Sequence, residues 1–372
     1  MSSSRALTAL TALSALAALS LAACATTTTA TTTGAHSAPH AAVTPAAAAE
    51  AQRLCAEAVA AVDRGDLSVA LATFAQARAL DPDDPQIAYE HAFALYTAHR
   101  FSEAAAILEP LSLAPSADLV FQLLGNTYDA LGQPERAVAT YQRGLGAFPH
   151  SGRIYFEMGI VDGAHRGAAA ALADWQHGVE VDPAHPSNYF ALAQTLAERD
   201  PLAAALYAEM FMNLERGSER TARASAIVRA SYAHLLHDAQ ATRDLTLTDL
   251  RPLTLFLHLA ITAAGAMLPA DATPTTDTVV ALHAHLLELW EGNDAKARTP
   301  SPLHRFEAQV ADAGHLEAYE RWVLGAGPDG EFAGWCARHD DACSSFALWF
   351  GENRPQLDPG LTPLGPGAPP AS

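Results

Sequence analysis

Lysine is nearly absent: the 372-residue chain has one, Lys296, and its other basic residues are arginine. Lys and Arg together number 22 against 41 Asp and Glu, a formal charge of -19. A surface of that sign repels phosphate backbones and anionic headgroups. It argues against nucleic acid as a partner and against a charge-driven membrane contact. Aromatic residues make up only 7% of the chain, and Ala dominates its apolar half. That mix favours helix over sheet, because Ala has the highest helix propensity. Local catalytic and cofactor motifs are also missing. There is no His-Glu-x-x-His, no Cys-x-x-Cys, no Gly-x-Ser-x-Gly, no glycine-rich phosphate loop and no Ser-x-x-Lys. The sequence therefore assigns no catalytic residue, cofactor or metal, although a triad assembled in space leaves no local motif.

What is present begins at the N-terminus. "MSSSRALTALTALSALAALSLAAC" has one positive charge, Arg5, then an Ala/Leu run ending Leu21-Ala22-Ala23-Cys24. A basic start, an apolar run and small residues before a cleavage point make a secretory signal over 1–23. Leu-Ala-Ala-Cys resembles a bacterial lipobox. The resemblance implies cleavage before Cys24, a thioether-linked diacylglycerol on that residue and an amide-linked acyl chain such as palmitate. Such chains suffice for stable anchoring. Ala25, where some lipoproteins carry Asp, implies by the same analogy the outer membrane, facing the periplasm, over the inner one. An ordinary signal peptide or a transmembrane anchor are the alternatives. Residues 24–49 then read as a lipidated Cys and a Thr/Ala/Pro-rich disordered linker.

A repeat follows. "LLGNTYDALGQPERAVATYQRGLGAFP" places Phe121, Leu124 and Tyr128 on one face of a first helix, Gly125 where a second helix approaches, and Gly132-Gln133-Pro134 at the turn. Ala137, Tyr141 and Leu145 face back from the second helix, and Pro149 ends it. Pro149 and Pro183 are 34 positions apart, and Pro82 lies 67 before Pro149. The stretch resembles a tetratricopeptide repeat, whose period is about 34 residues. Neighbours at 51–82 and 152–183 share the register. The unit at 85–117 is weaker, with Pro110 interrupting its second helix, and 186–216 has no closing Pro. The expected fold is all-α, a solenoid of about five helix pairs over 50–216, a helical C-terminal region over 217–355 and a disordered Pro/Gly-rich tail over 356–372. The segment Phe211-Met-Asn-Leu-Glu-Arg216 also resembles bacterial tetratricopeptide proteins with a helical C-terminal region. That likeness informs boundaries and not activity.

In the C-terminal region, "TLFLHLAITAAGAML" is apolar on all sides and reads as a buried helix, too short for a span of about 20 residues. His283 and His285 are two apart, so they fall on different helix faces. Cys336 and Cys343 are seven apart, about 10.5 Å along one continuous helix. A disulfide needs Cα atoms within about 7 Å. A turn at Asp340-Asp341 permits the bridge, and a continuous helix leaves two buried thiols. Cys55 reads as a small core or groove residue. His339, Asp340, Asp341 and Cys343 read as solvated turn residues rather than metal ligands, so no metal is expected. Glu209, Asn213, Glu215, Arg216, Glu219 and Arg220 form either a polar site or an ion-pair network. Trp290, Trp322, Trp335 and Trp349 line either a ligand pocket or a core.

The resemblance implies protein–protein binding along a concave face lined by the first helix of each unit. Those positions are Gln86, Tyr89 and Phe93; Gln122, Asn126 and Asp129; Arg153, Phe156 and Ile160; Phe190 and Gln194. Arg153 alone does not make the basic clamp that some such domains use for a C-terminal carboxylate. The alternative is that several of these residues face the C-terminal helices. The expected role is a lipid-anchored scaffold of the bacterial cell envelope that binds a peptide or partner protein. The alternatives are a component of an assembly machine for outer-membrane proteins or pili, and an enzyme or small-ligand domain in the C-terminal region.

Overall fold

A computed structural model describes residues 43–115, 117–241, 252–267, 275–292, 300–327 and 330–366. The signal segment, Cys24 and most of the expected linker lie outside the described residues, as do 367–372. Two compact units divide the chain, one up to Tyr141 and one from Gln142, and each is taken by itself.

The helices pair as the repeat register requires. They are α1 Pro45–Asp63 with α2 Leu67–Leu80, α3 Pro85–Thr97 with α4 Phe101–Leu111, and α5 Leu119–Ala130 with α6 Pro134–Ala147. The second unit continues with α7 Gly152–His165 and α8 Ala168–Val181, then α9 Pro186–Leu196 and α10 Pro201–Leu214. Helix α1 starts at Pro45, inside the stretch expected to be linker. Thr44 accepts a hydrogen bond from the Ala47 amide, Pro45 sits at the first helical position, and Ala51 is buried. Ala-rich composition behind such a cap extends a helix, which is why the boundary moves toward the N-terminus. Pro110 does not break α4: it falls in the last turn, one residue before the end.

One size rule repeats through all five pairs. Ala58, Ala92, Gly125, Gly159 and Ala191 on the first helices each precede a large residue by 16 positions: Phe74, Leu108, Tyr141, Trp175 and Tyr207. All ten are buried. A Cβ on Gly125 would lie 2.1 Å from Tyr141 Cε1, and one on Gly159 would lie 2.3 Å from Trp175 Nε1. At these two positions the Tyr141 and Trp175 rings come too close for any side chain but glycine's hydrogen, since an interior packed to crystal density leaves no gap for a methyl group. Trp175 Nε1 also donates to the Phe156 carbonyl at 3.0 Å, so the ring's polar edge is satisfied inside the pair. The turns repeat as well. Gly65, Gly132 and Gly167 have positive φ, and His99 takes the same left-handed place between α3 and α4 at φ 57°.

Beyond α10 the second unit adds α11 Glu219–Ala241, α12 Pro252–Met267, α13 Thr276–Gly292, α14 Pro302–Asp312, α15 Leu316–Gly325, α16 Glu331–Cys336 and α17 Asp340–Glu352. Helix α12 buries Leu253, Leu257 and Ile261, one face at helical spacing, and leaves Leu259 exposed. It is buried on that face rather than all round, and its exposed positions Leu259 and Ala263 are apolar as well. No helix among the described residues is long and apolar enough to cross a membrane. The tail is ordered past residue 356. Strands β1 Leu361–Thr362 and β2 Gly365–Pro366 pair antiparallel. Leu364 between them is buried, the Gly360 amide donates to the Glu180 carbonyl at 2.8 Å, and Ser301 Oγ donates to the Pro363 carbonyl at 3.1 Å. A buried Leu and saturated backbone groups fix a segment whose composition alone reads as disordered.

Candidate functional site

Helix α10 is apolar and buried from Leu202 to Met212 except for one residue, Glu209, itself fully buried. Three other helices meet it there. Helix α13 contributes His283, α14 contributes His304 and Glu307, and α15 contributes Tyr319 and Glu320; all five are buried. His283 Nδ1 lies 2.7 Å from Glu320 Oε2. Tyr319 donates its hydroxyl to Glu209 Oε1 at 2.9 Å. Asn213, one turn beyond Glu209, donates to the Tyr319 oxygen at 2.6 Å and to the Glu209 carbonyl at 3.1 Å. One donor atom each from Glu209, His283 and Glu320 lie within 4.8 Å of one another.

The electrostatics follow from burial. Desolvation pushes Glu209 above the ordinary carboxylate range, and the Glu320 charge adds to it. Desolvation, followed by the charges of Glu209 and Glu320, raises Glu307 further. Burial by itself would lower His283, but the adjacent Glu320 carboxylate outweighs it and holds the imidazole above its usual value. His304, buried and near His283, is lowered to about 3 and stays neutral; its Nδ1 lies 3.1 Å from Ser301 Oγ.

The sequence carries no local sign of this cluster. Glu209, His283 and Glu320 are 74 and 37 positions apart and share no motif spacing. The available signal is a single carboxylate inside an otherwise apolar helix, Glu209 in "AALYAEMFM". His283 and His285 do fall on different faces, one buried and one exposed. The segment 209–220 divides between the two expectations. Glu209 and Asn213 enter the core, whereas Glu215 pairs with Arg220, and Arg216 donates to the carbonyls of Phe350 and Asn353. Burial, with Arg354 nearby, lowers Arg216 to about 9.

The groove candidates fare differently in the two units. In the first, Gln86 is exposed, and Tyr89, Phe93, Gln122, Asn126 and Asp129 are half-buried. Asn126 is engaged internally, accepting from the hydroxyl of the fully buried Tyr141. In the second, Phe190 is not available to a partner. It is 4% exposed, its ring centroid lies 4.8 Å from that of Phe211, and the Arg220 and Arg223 guanidinium groups lie over it. Helices α10 and α11 cover it, because a large aromatic is stabilised more by burial than by exposure in a groove. Arg153, Phe156, Ile160 and Gln194 are half-buried; Phe156 and Ile160 pack against the same core, and Gln194 Oε1 is sealed from water.

Cys336 and Cys343 form a disulfide with Cα atoms 5.3 Å apart, across the turn between α16 and α17. His339, at the end of that turn, and Asp340 and Asp341, which open α17 rather than lying in the turn, are exposed. Cys55 is a buried free thiol, and burial raises it to about 11. Trp290, Trp322 and Trp335 are core residues, and Trp349 packs against them half-buried. The best-formed pocket, of about 370 Å³, is lined by Arg229, Thr275, Asp277, Arg321 and Glu331 among others, and by no Trp.

A tetratricopeptide-repeat family model matches residues 61–118. No curated protein matches the chain. Among solved structures, a thermophilic TPR protein of Thermus thermophilus is 17% identical, over 48% of this chain and 98% of that one, with a TM-score of 0.41. PilF of Pseudomonas aeruginosa is also 17% identical, over 71% and 99%, with a TM-score of 0.41. MamA of Desulfovibrio magneticus, from residue 41 to its end, is 19% identical over 48% and 99%, with a TM-score of 0.37. TPR proteins bind peptide or protein partners, and their fold is typically a scaffold rather than an enzyme. From the matched repeat and the five pairs built on one small-against-large register, the chain is a tetratricopeptide-repeat-like protein with a helical C-terminal region.

Proposed function

We propose that the protein is a scaffold of the bacterial cell envelope, held to the membrane by lipid on Cys24, that binds a peptide or partner segment along the first helices of its first unit. The observation that carries this reading is the state of the α3 and α5 candidates. Gln86 is exposed, and Tyr89, Phe93, Gln122 and Asp129 keep part of their surface accessible. Amide and aromatic side chains on adjacent first helices suit an extended or helical peptide: the amides fix its backbone and the rings take its apolar side chains. Phe190 of the second unit, being internal, has no part in it. The Cys336–Cys343 disulfide supports export to an oxidising compartment, since such bonds are rare in the cytosol. The outer membrane, on its periplasmic side, is the location the residue after Cys24 favours.

The test is a photoreactive residue at Gln86 in cells, with the same group at Val69 of α2 as the comparison; Val69 is 52% exposed. A discrete crosslinked protein from Gln86 that is absent from Val69 supports the reading. Identical products from both positions, or none from Gln86, count against it.

A further inference from the structure

Three buried carboxyls, Glu209, Glu307 and Glu320, converge in the second unit, and His283 faces them with Nδ1 2.7 Å from Glu320 Oε2. An uncompensated charge in the interior is costly, so such clusters are paired or coordinate a metal. The hydrogen-bond inventory is short of donors. Asn213 spends its amide hydrogens on the Tyr319 oxygen and the Glu209 carbonyl, and Tyr319 spends its hydroxyl on Glu209 Oε1. Glu209 Oε2, Asn213 Oδ1 and His283 Nε2 are sealed from water and meet no N–H or hydroxyl hydrogen. The two oxygens are acceptors in residues fully removed from solvent. The cluster therefore offers lone pairs in excess of hydrogens to fill them.

We propose that Glu209, His283 and Glu320 bind one divalent transition-metal ion. Two carboxylates and a neutral imidazole balance the charge of such an ion, and mixed oxygen and nitrogen donors suit Zn²⁺ and its first-row neighbours over Ca²⁺. A tetrahedral ion with bonds of about 2.1 Å sets its ligand atoms roughly 3.4 Å apart. The separations of up to 4.8 Å close, and the 2.7 Å contact between His283 and Glu320 opens, by rotamer-scale movement. Tyr319 and Asn213 then form the outer layer that orients Glu209. All three ligands are buried, so the ion is structural: it ties α10, α13 and α15 together across more than a hundred residues of sequence. The inference is independent of what the first unit binds.

The test uses the full, untagged chain purified in detergent without chelator. Metal content is measured by mass spectrometry, and Zn²⁺ and Co²⁺ are added back after stripping. The expected result is one tight equivalent per chain, Co²⁺ bands in the visible characteristic of a four-coordinate site, and a Tm rise of about 5–10 °C at a hundredfold excess of Zn²⁺ over Kd. Glu209→Gln and Glu320→Gln keep the shape and remove a ligand charge. Each should lose the equivalent and the Co²⁺ bands while retaining its helical circular dichroism. His285→Ala, on the exposed face of α13, should change nothing. No stoichiometric ion in the wild type, or full binding in Glu209→Gln, would overturn the proposal. If both Gln variants fail to fold, the wild type's stoichiometry and Co²⁺ spectrum decide it.

Discussion

Gly159 has no room for a methyl group, because its Cβ would meet the Trp175 ring at 2.3 Å. Gly159→Ala should cost about 2–3 kcal/mol of unfolding free energy. Trp175→Leu alone should cost about 3 kcal/mol through the cavity it leaves. The two together should cost less than their sum by about 1 kcal/mol or more, since Ala92 with Leu108 shows that this register accepts a small-plus-medium pair. Urea titration of the three variants reads the coupling directly, and strict additivity would mean that the two sites do not share one space. Asp174 gives a pH effect of known sign. It is half-buried beside Asp162, and desolvation, then the Asp162 charge and their shared hydrogen bond, lift it from 3.8 to about 7. A carboxyl raised in the folded state favours folding fully below its unfolded value, and that contribution is lost as pH rises through the folded one. Stability should therefore fall between about pH 4 and 7 through this group. Asp174→Asn should flatten that slope and gain about 1–2 kcal/mol at about pH 8. A slope unchanged in the variant would assign the effect elsewhere. The glycine is legible in the sequence because the aromatic it admits lies at a fixed spacing in a repeat. The carboxyl pair is not, since nothing in "VDGAH" or "ADWQH" marks two acids that meet across helices.

Elements are more legible in the chain than their ends. Most repeat helices carry their own signal, an apolar stripe closed by Gly or Pro, so five pairs follow from the residues even where His99 takes the glycine's place. The ends move where a local cap or a distant contact intervenes: Thr44 extends α1 backwards, and Leu364 pins a Pro/Gly-rich tail. The C-terminal helices are visible as helices, but their packing is not, because which face of α9 they cover depends on contacts such as Arg220 and Arg223 of α11 over Phe190. The disulfide is a prediction at this scale. It joins α16, a helix of six residues, to α17. So short a helix holds little of its own, and closing a loop of this size should contribute about 2 kcal/mol by limiting the unfolded chain. Reduction, or the double variant Cys336→Ser/Cys343→Ser, should lower the second unit's unfolding midpoint by that amount and speed proteolysis near residue 339. A midpoint indifferent to reductant would show that Phe346, Phe350 and Trp335 hold the element without the bond.

For the whole molecule, charge and anchoring make opposed demands. A formal charge of -19 repels an anionic leaflet, and among the described residues no helix spans a bilayer. The proposed lipid on Cys24, in the lipobox-like Leu21-Ala22-Ala23-Cys24, would supply an attachment that needs neither. Acyl chains contribute about 0.8 kcal/mol for each buried methylene and are indifferent to ionic strength. The expected behaviour is specific to that origin. The wild type should remain with the membrane fraction in high salt and at high pH and leave it in detergent. Cys24→Ser should accumulate as the uncleaved precursor, because the lipidation that precedes cleavage has no thiol to act on. A chain begun at an initiator Met in place of Cys24 lacks the signal segment and should fractionate with the cytosolic contents, with folded helices intact. Wild type released by salt alone would show a charge-held peripheral protein and remove the lipid from the account. Wild type that is soluble throughout would show Cys24 to be an ordinary residue of a cleaved leader, leaving the repeat scaffold in place and its anchor gone.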